Sequence, residues 1–275
     1  MSETTLEIVL NELVIANRVL ANEGVADAYG HVSVRHPTKP ERFFMARMRA
    51  PELVERGDLM EFGPDGQPVS DSRAPSVERF IHGAIYKARP DVQAVVHAHA
   101  EEILPFGITD VPLRPVIHSA SFIGRNVPVW DIADNFGDTD LLVRDMSQGR
   151  DLAHCLGNNN VVLMRGHGFA AGARSIIEVV RVSVYLPRNA RVQLAAMQIG
   201  KYKPLSDGEI AARAAGYKPY STQTWRAWEY WANRAGCGHM LGERPAATQK
   251  NRKTVEHPLV STVWAKLVPQ QFRLL

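Results

Sequence analysis

The chain has 275 residues, 45% hydrophobic and 22% charged, which excludes disordered, collagen-like and coiled-coil proteins and gives length for one large domain or two small ones. With 32 Lys and Arg against 29 Asp and Glu, the formal charge of +3 is too small an excess to point to nucleic acid. The two cysteines, Cys155 and Cys237, have no CxxC grouping, so neither a disulfide framework nor a thiolate metal site is indicated and a reducing cytoplasm fits.

Thr4 and Glu7 have capping-box spacing, and Leu6, Leu10 and Leu13 recur at helical intervals until Gly24, which predicts an amphipathic helix over 5–22. Glu3, Glu7 and Glu12 interrupt that segment, so it does not read as a signal peptide. No apolar run approaches the ~18 residues of a membrane span, so no membrane partner is expected. Residues 31–36 alternate polar and apolar side chains and 42–45 form a second short apolar piece, a hairpin-like pair. A strand over 58–62 runs into the turn Gly63-Pro64-Asp65-Gly66, with 68–70 returning.

The period then changes from two to about 3.6. Ser76 is read as the N-cap of a helix with Val77, Ile81 and Ile85 on one face, ending before Pro90, and 94–99 is the next strand. Short apolar pieces at 127–130 and 161–164 flank a helix around 147–156. Ser175 with Glu178 repeats the capping-box spacing and opens a helix to about Gly200, with a kink expected at Pro187. Residues 201–275 change character and read as a C-terminal helical extension and tail. Trp225, Trp228 and Trp231 recur at a spacing of three, as on a packed helix face or subunit contact, and 236–257 reads as linker or surface tail.

Ten histidines are unevenly placed, and three fall where metal ligands would. In a strand, residues i and i+2 point the same way about 7 Å apart, so His97 and His99 present two imidazoles on one face. His167 sits between Gly166 and Gly168 at the end of a buried-looking strand, where the backbone turns sharply and leaves the ring projecting into a cleft. Three neutral imidazoles with an open position suit a catalytic Zn, Mn, Fe or Co ion. Glu78, read in the first turn of its helix, is the natural fourth ligand or general acid/base.

These residues carry a resemblance. Ser76-x-Glu78 leading through His82-x-x-Ile85-Tyr86, then Pro90-Asp91-Val92-x-Ala94-Val95-Val96-His97-x-His99, and later Gly166-His167-Gly168, resembles the class II aldolase/adducin family over roughly residues 6–200. The resemblance implies a three-layer α/β/α catalytic domain over 1–200 with a central, mainly antiparallel sheet, in a homo-oligomer, usually a tetramer. It also implies one divalent metal on His97, His99 and His167, with Glu78 as an acid/base that also touches the metal. A C-terminal tyrosine, Tyr217 or Tyr230, is expected near a neighbouring subunit's site.

The sugar-phosphate branch of that family has Gly-Asn near its N-terminus, whereas here Gly30 is followed by His31. Its first phosphate loop is replaced by Met45-Ala46-Arg47-Met48-Arg49-Ala50-Pro51-Glu52, and only Ser70-Asp71-Ser72 resembles the second. Arg47 and Arg49 put two guanidinium forks on one side of an extended segment, matched to carboxylates. Gly30 to Pro37 and Arg49-Ala50-Pro51-Glu52 resemble the branch of hydroxylated aromatic and pyridine dicarboxylate decarboxylases, close to the aminocoumarin-pathway iron oxygenases.

The expectation is a cytoplasmic divalent-metal lyase that decarboxylates a hydroxylated aromatic or heteroaromatic acid. Arg47, Arg49, Ser72, His118 and Tyr217 would serve the substrate, and Glu78 or His31 would move protons. An aldolase cleaving a hydroxy-keto acid, an Fe(II) oxygenase acting on a phenolic acid and an adducin-like interaction module are the rivals. The last has no need of all four metal-site residues.

Overall fold

Seven short strands build one sheet in a computed structural model that describes residues 5–218 and 220–243. In chain order they are β1 (His31–Arg35), β2 (Phe43–Ala46), β3 (Leu59–Phe62), β4 (Ala94–Ala98), β5 (Val129–Trp130), β6 (Val161–Met164) and β7 (Gly168–Ala173). They lie side by side as β3-β2-β1-β4-β7-β6-β5, antiparallel throughout except for the parallel pair of β5 with β6. The helices are α1 (Thr5–Asn22), α2 (Arg79–Ala88), the single turns α3 (Leu104–Gly107) and α4 (Ala133–Phe136), α5 (Met146–Leu156), α6 (Ile176–Ile199), α7 (Asp207–Ala215) and α8 (Thr222–Arg234).

Strand alternation sorts the core into two faces. Val32, Val34, Val96, Phe169 and Ala171 pack with α1 and α6, while Met45, Val95, Val162 and Ala170 pack with α2 and α5. The result is the expected three-layer α/β/α arrangement. Because both faces are covered, β4, β6 and β7 are buried along their whole length and read as apolar runs. Trp225, Trp228 and Trp231 bury one face of α8 in the same core as α1, the packed-face outcome for that spacing.

The helix starts and stops follow local chemistry. The Asp145 carboxylate caps α5 by accepting from the Ser147 and Gln148 N–H groups, and Ser175 caps α6 by accepting from Glu178 N–H. Thr4, half of the expected box on α1, and residues 244–275 of the tail lie outside the described residues.

Some expectations change. The N-cap of α2 is Glu78 rather than Ser76, and its side chain makes no cap hydrogen bond. Helix α6 runs through Pro187 to Ile199, the extent expected from its capping box. The returning segment 68–70 forms a Phe62–Pro68 bridge and a Val69 N–H bond of 3.0 Å to the Glu61 carbonyl, short of a strand. Strand β7, Gly-Phe-Ala-Ala-Gly-Ala, has none of the β-branched residues that announce a strand.

Candidate metal centre

Three central strands and one helix end meet at one end of the sheet. The β1–β4 register pairs His31 with His97, so both rings stand on the α2 face, and their centroids are 5.1 Å apart. His99 follows two residues on, past the end of β4. His167 sits in the turn from β6 to β7, its N–H bonded to the Met164 carbonyl at 3.1 Å. Two glycines permit this convergence. A Cβ on Gly168 would stand 2.3 Å from the Ala98 carbonyl oxygen, and Gly30, at φ +93°, would place one 3.1 Å from the His97 carbonyl oxygen.

His97 Nε2 and His167 Nε2 lie 3.0 and 3.2 Å from His99 Nε2. Glu78 Oε2 lies 3.2 Å from His97 Nε2 and 3.5 Å from His167 Nε2. All four ligand atoms are within 4.8 Å of one another. A tetrahedral ion with bonds of about 2.0–2.1 Å holds its nitrogen ligands about 3.3 Å apart, close to this spacing.

The orientation of His97 and Glu78 fits a cation. The His97 Nδ1–H donates to the Phe169 carbonyl at 2.9 Å, which turns Nε2 toward the Glu78 carboxylate. The other Glu78 oxygen, Oε1, accepts the Val143 N–H at 3.0 Å, so the backbone fixes which oxygen turns to the histidines. One carboxylate and three imidazoles form a nitrogen and oxygen donor set suited to a divalent transition metal.

Burial raises the Glu78 carboxyl, but His97 and His167 outweigh it and hold the group well below the carboxylate range, so it is ionised. Burial, then His97 and His167, lowers His99 to about 4. Burial, then His97, lowers His31 to about 3. These two rings are neutral at pH 7 and keep a nitrogen lone pair.

Arg47 and Arg49 do lie on one side of their segment, but both meet a carboxylate of their own chain. Asp58 takes Arg47 Nε at 2.8 Å and Arg49 Nε at 3.0 Å on its two oxygens, and Arg49 Nε also donates to the Leu53 carbonyl at 2.8 Å. Arg47 lies one residue past β2, the strand that pairs with β1, and bridges to Pro75. Ser72 is exposed in a loop between Asp71 and Arg73, which pair with each other.

His118 and Tyr217 are not brought to the four ligands. His118 is exposed at the start of a 3-10 helix whose residues pack in the α6 layer, across the sheet from Glu78. Tyr217 packs on Phe122 in that same layer, ring centroids 4.9 Å apart, and Tyr230 is exposed on α8. The sequence reading did not identify Val143 and Phe169, whose backbone groups orient Glu78 and His97 without a side-chain signal, nor Asp58, the partner of both arginines. Nor did it give His82 a part in the site, although the spacing Glu78, His82, Tyr86 marks one helix face.

The chain matches the model for the class II aldolase and adducin N-terminal domain over residues 11–194. It is 38% identical to decarboxylase tropJ of Talaromyces stipitatus, covering 80% of this chain and 91% of that one. It is 29% identical to the 3,4-dihydroxyphthalate decarboxylase of Arthrobacter keyseri, covering 78% and 90%. An aldolase II superfamily protein from Pseudomonas syringae shares the fold with a TM-score of 0.70 at 23% identity, covering 86% of this chain and 96% of that one.

Proposed function

The chain belongs to the class II aldolase and adducin family and is an enzyme of the lyase type, and from that premise we propose that it decarboxylates a hydroxylated aromatic or pyridine carboxylate with the help of one divalent metal ion. The observation that carries this reading is the convergence of His97, His99, His167 and Glu78 beside His31, in a chain similar to named decarboxylases. A divalent ion held by these four residues supplies Lewis-acid polarisation of a ring hydroxyl oxygen and its neighbouring carboxylate. Mn, Zn, Fe and Co all suit the donor set.

The chain's own residues supply the rest. Ionised Glu78 accepts the proton of the ring hydroxyl, and His31 gives a proton to the ring carbon as the carboxylate departs. Asp58 fixes the planes of Arg47 and Arg49, and an oriented guanidinium on the segment after β2 suits a second carboxylate on the substrate. Exposed Met48 between them suits a flat ring more than a phosphosugar. Ser72 belongs to this reading only as a loop contact, whereas His118 and Tyr217 act across a subunit boundary.

The same reading takes residues 1–200 as the catalytic unit and 201–275 as its extension, supported by a family match that stops at 194. It takes the protein as a cytoplasmic homo-oligomer, with four copies favoured. Cys155 and Cys237 are free, and no helix among the described residues is long and apolar enough to cross a membrane.

The test is an assay under argon of the metal-loaded protein with 3,4-dihydroxyphthalate and pyridine dicarboxylates. Carbon dioxide released with one proton taken up at the ring supports the reading. A strict need for dioxygen turns the assignment to an oxygenase, and an aldehyde product from a hydroxy-keto acid turns it to an aldolase. A protein that binds no metal and turns over nothing is an interaction module.

A further inference from the structure

Behind His31, away from the four ligands, lies a line of hydrogen bonds that the reading above does not use. His31 Nδ1 is 2.7 Å from His82 Nε2, His82 Nδ1 is 2.6 Å from Ser33 Oγ, and Ser33 Oγ is 2.8 Å from the Tyr86 hydroxyl. His82 and Ser33 are fully buried and Tyr86 nearly so. Strand β1 supplies His31 and Ser33, two residues apart on one face, and helix α2 supplies His82 and Tyr86, four apart on one face. The interlocking of those two periods across the sheet–helix interface makes the line.

A neutral imidazole carries one N–H and a serine oxygen can accept twice, so the line points inward, points outward, or converges on Ser33; the convergent form leaves the buried Ser33 O–H without an acceptor among the described residues. If protons point inward, His31 donates to His82, His82 to Ser33 and Ser33 to Tyr86. The buried Tyr86 O–H then has no acceptor among the described residues, a costly arrangement. If protons point outward, Tyr86 donates to Ser33, Ser33 to His82 Nδ1 and His82 Nε2–H to His31 Nδ1. Tyr86, Ser33 and His82 then all have acceptors, and the proton of His31 is on Nε2, its free nitrogen. Arg35 stands over the Tyr86 ring at 4.7 Å and donates to the Tyr86 backbone carbonyl at 3.0 Å, a cation beside the phenol that begins the line, while burial outweighs it and pushes that phenol above its ordinary value.

We propose that His82, Ser33 and Tyr86 are positioning residues that hold His31 in its Nε2–H tautomer, which makes His31 the proton donor to the ring carbon. This rests on the decarboxylase reading. The bond from the ring carbon to the carboxylate breaks, carbon dioxide leaves, and the bonding pair stays on the carbon. The Nε2 proton of His31 forms the new C–H bond, and the His82 Nε2 proton moves to His31 Nδ1. Protons from Ser33 and Tyr86 each move one place, so the missing proton is at Tyr86 beside Arg35. Solvent returns it through His31 once product has left.

Two measurements separate this inference from the reading beneath it. The imidazole ¹⁵N spectrum of the wild-type protein should show His31 protonated at Nε2, with Ser33→Ala shifting the population toward Nδ1–H. Wild-type His31 protonated at Nδ1 would overturn the positioning role whatever the reaction is. With 3,4-dihydroxyphthalate, Ser33→Ala and Tyr86→Phe should keep metal content and KM and lower kcat by about 10–100-fold, with a larger solvent deuterium effect. Tyr86→Phe removes a single oxygen and serves if Ser33→Ala does not fold. Unchanged kcat in both variants overturns the catalytic role. No carbon dioxide from the wild type overturns the decarboxylase reading and leaves the tautomer result to be judged alone.

Discussion

Replacing Gly168 with Ala perturbs the metal centre without touching a ligand. The new Cβ would stand 2.3 Å from the Ala98 carbonyl oxygen and 3.1 Å from His99 Cδ2. Carbon and oxygen settle near 3.5 Å, so β4 and β7 must separate by roughly 1 Å. That separation opens the join that sets His99 against His167, whose Nε2 atoms lie 3.2 Å apart. Metal–ligand distances hold to within about 0.2 Å, so a shift of this size is several times what the site tolerates. Overpacking of this kind costs about 1–3 kcal/mol, and a misplacement of about 1 Å costs about 100-fold in function. Expected is a protein still folded by circular dichroism, with metal affinity and kcat/KM each reduced about 100-fold. Affinity is read by competition against a chelator. Wild-type affinity and turnover in Gly168→Ala would refute the reasoning that backbone approach sets the ligand geometry.

Glu78→Gln keeps an oxygen for the Val143 N–H but removes the anionic oxygen that faces the histidines, so turnover should fall by roughly 10²–10⁴-fold with the fold intact. Wild-type turnover there moves the proton-accepting role elsewhere. Burial works against the Asp58 charge, but the Glu55 N–H, Arg47 and Arg49 outweigh it and hold the carboxyl below its ordinary value. A lowered carboxyl contributes stability above its unfolded value, about 3.9, that is lost as pH falls through the folded value. Asp58→Asn should therefore lower stability at pH 7 by about 1–2 kcal/mol and flatten the acid side of the denaturation curve, and an unchanged curve would show that the clamp is not stabilising. Trp228 is fully buried in the core shared with α1, so Trp228→Ala should cost about 3–5 kcal/mol in urea unfolding. A cost under about 1 kcal/mol would show α8 to be loosely attached.

What the sequence made legible follows from periodicity. His97 and His99 announced themselves because a strand repeats every two residues, and His167 because two glycines bracket it. Glu78 was legible as a site residue but not as an N-cap, since its side chain leaves the helix end for the histidines. Strand β7 was hidden because close approach to Ala98 demands Gly168, and small residues carry no strand signal. The Arg47 and Arg49 pair was visible as one-sided, but Asp58 lies eleven residues beyond Arg47 and meets it only through the turn into β3. The line through His82 needs the β1–α2 packing to be known, because neither its strand pair nor its helix pair is informative alone.

The most direct measurement is to strip the protein of metal, add Mn, Zn, Fe or Co back in increments, and follow carbon dioxide release from 3,4-dihydroxyphthalate under argon. Release should be absent without metal, rise to a plateau at one ion per chain with at least one of the four, and vanish in His97→Ala. Full release from the stripped protein with chelator present, or from His97→Ala, would contradict the assignment of His97, His99, His167 and Glu78 as the reaction centre.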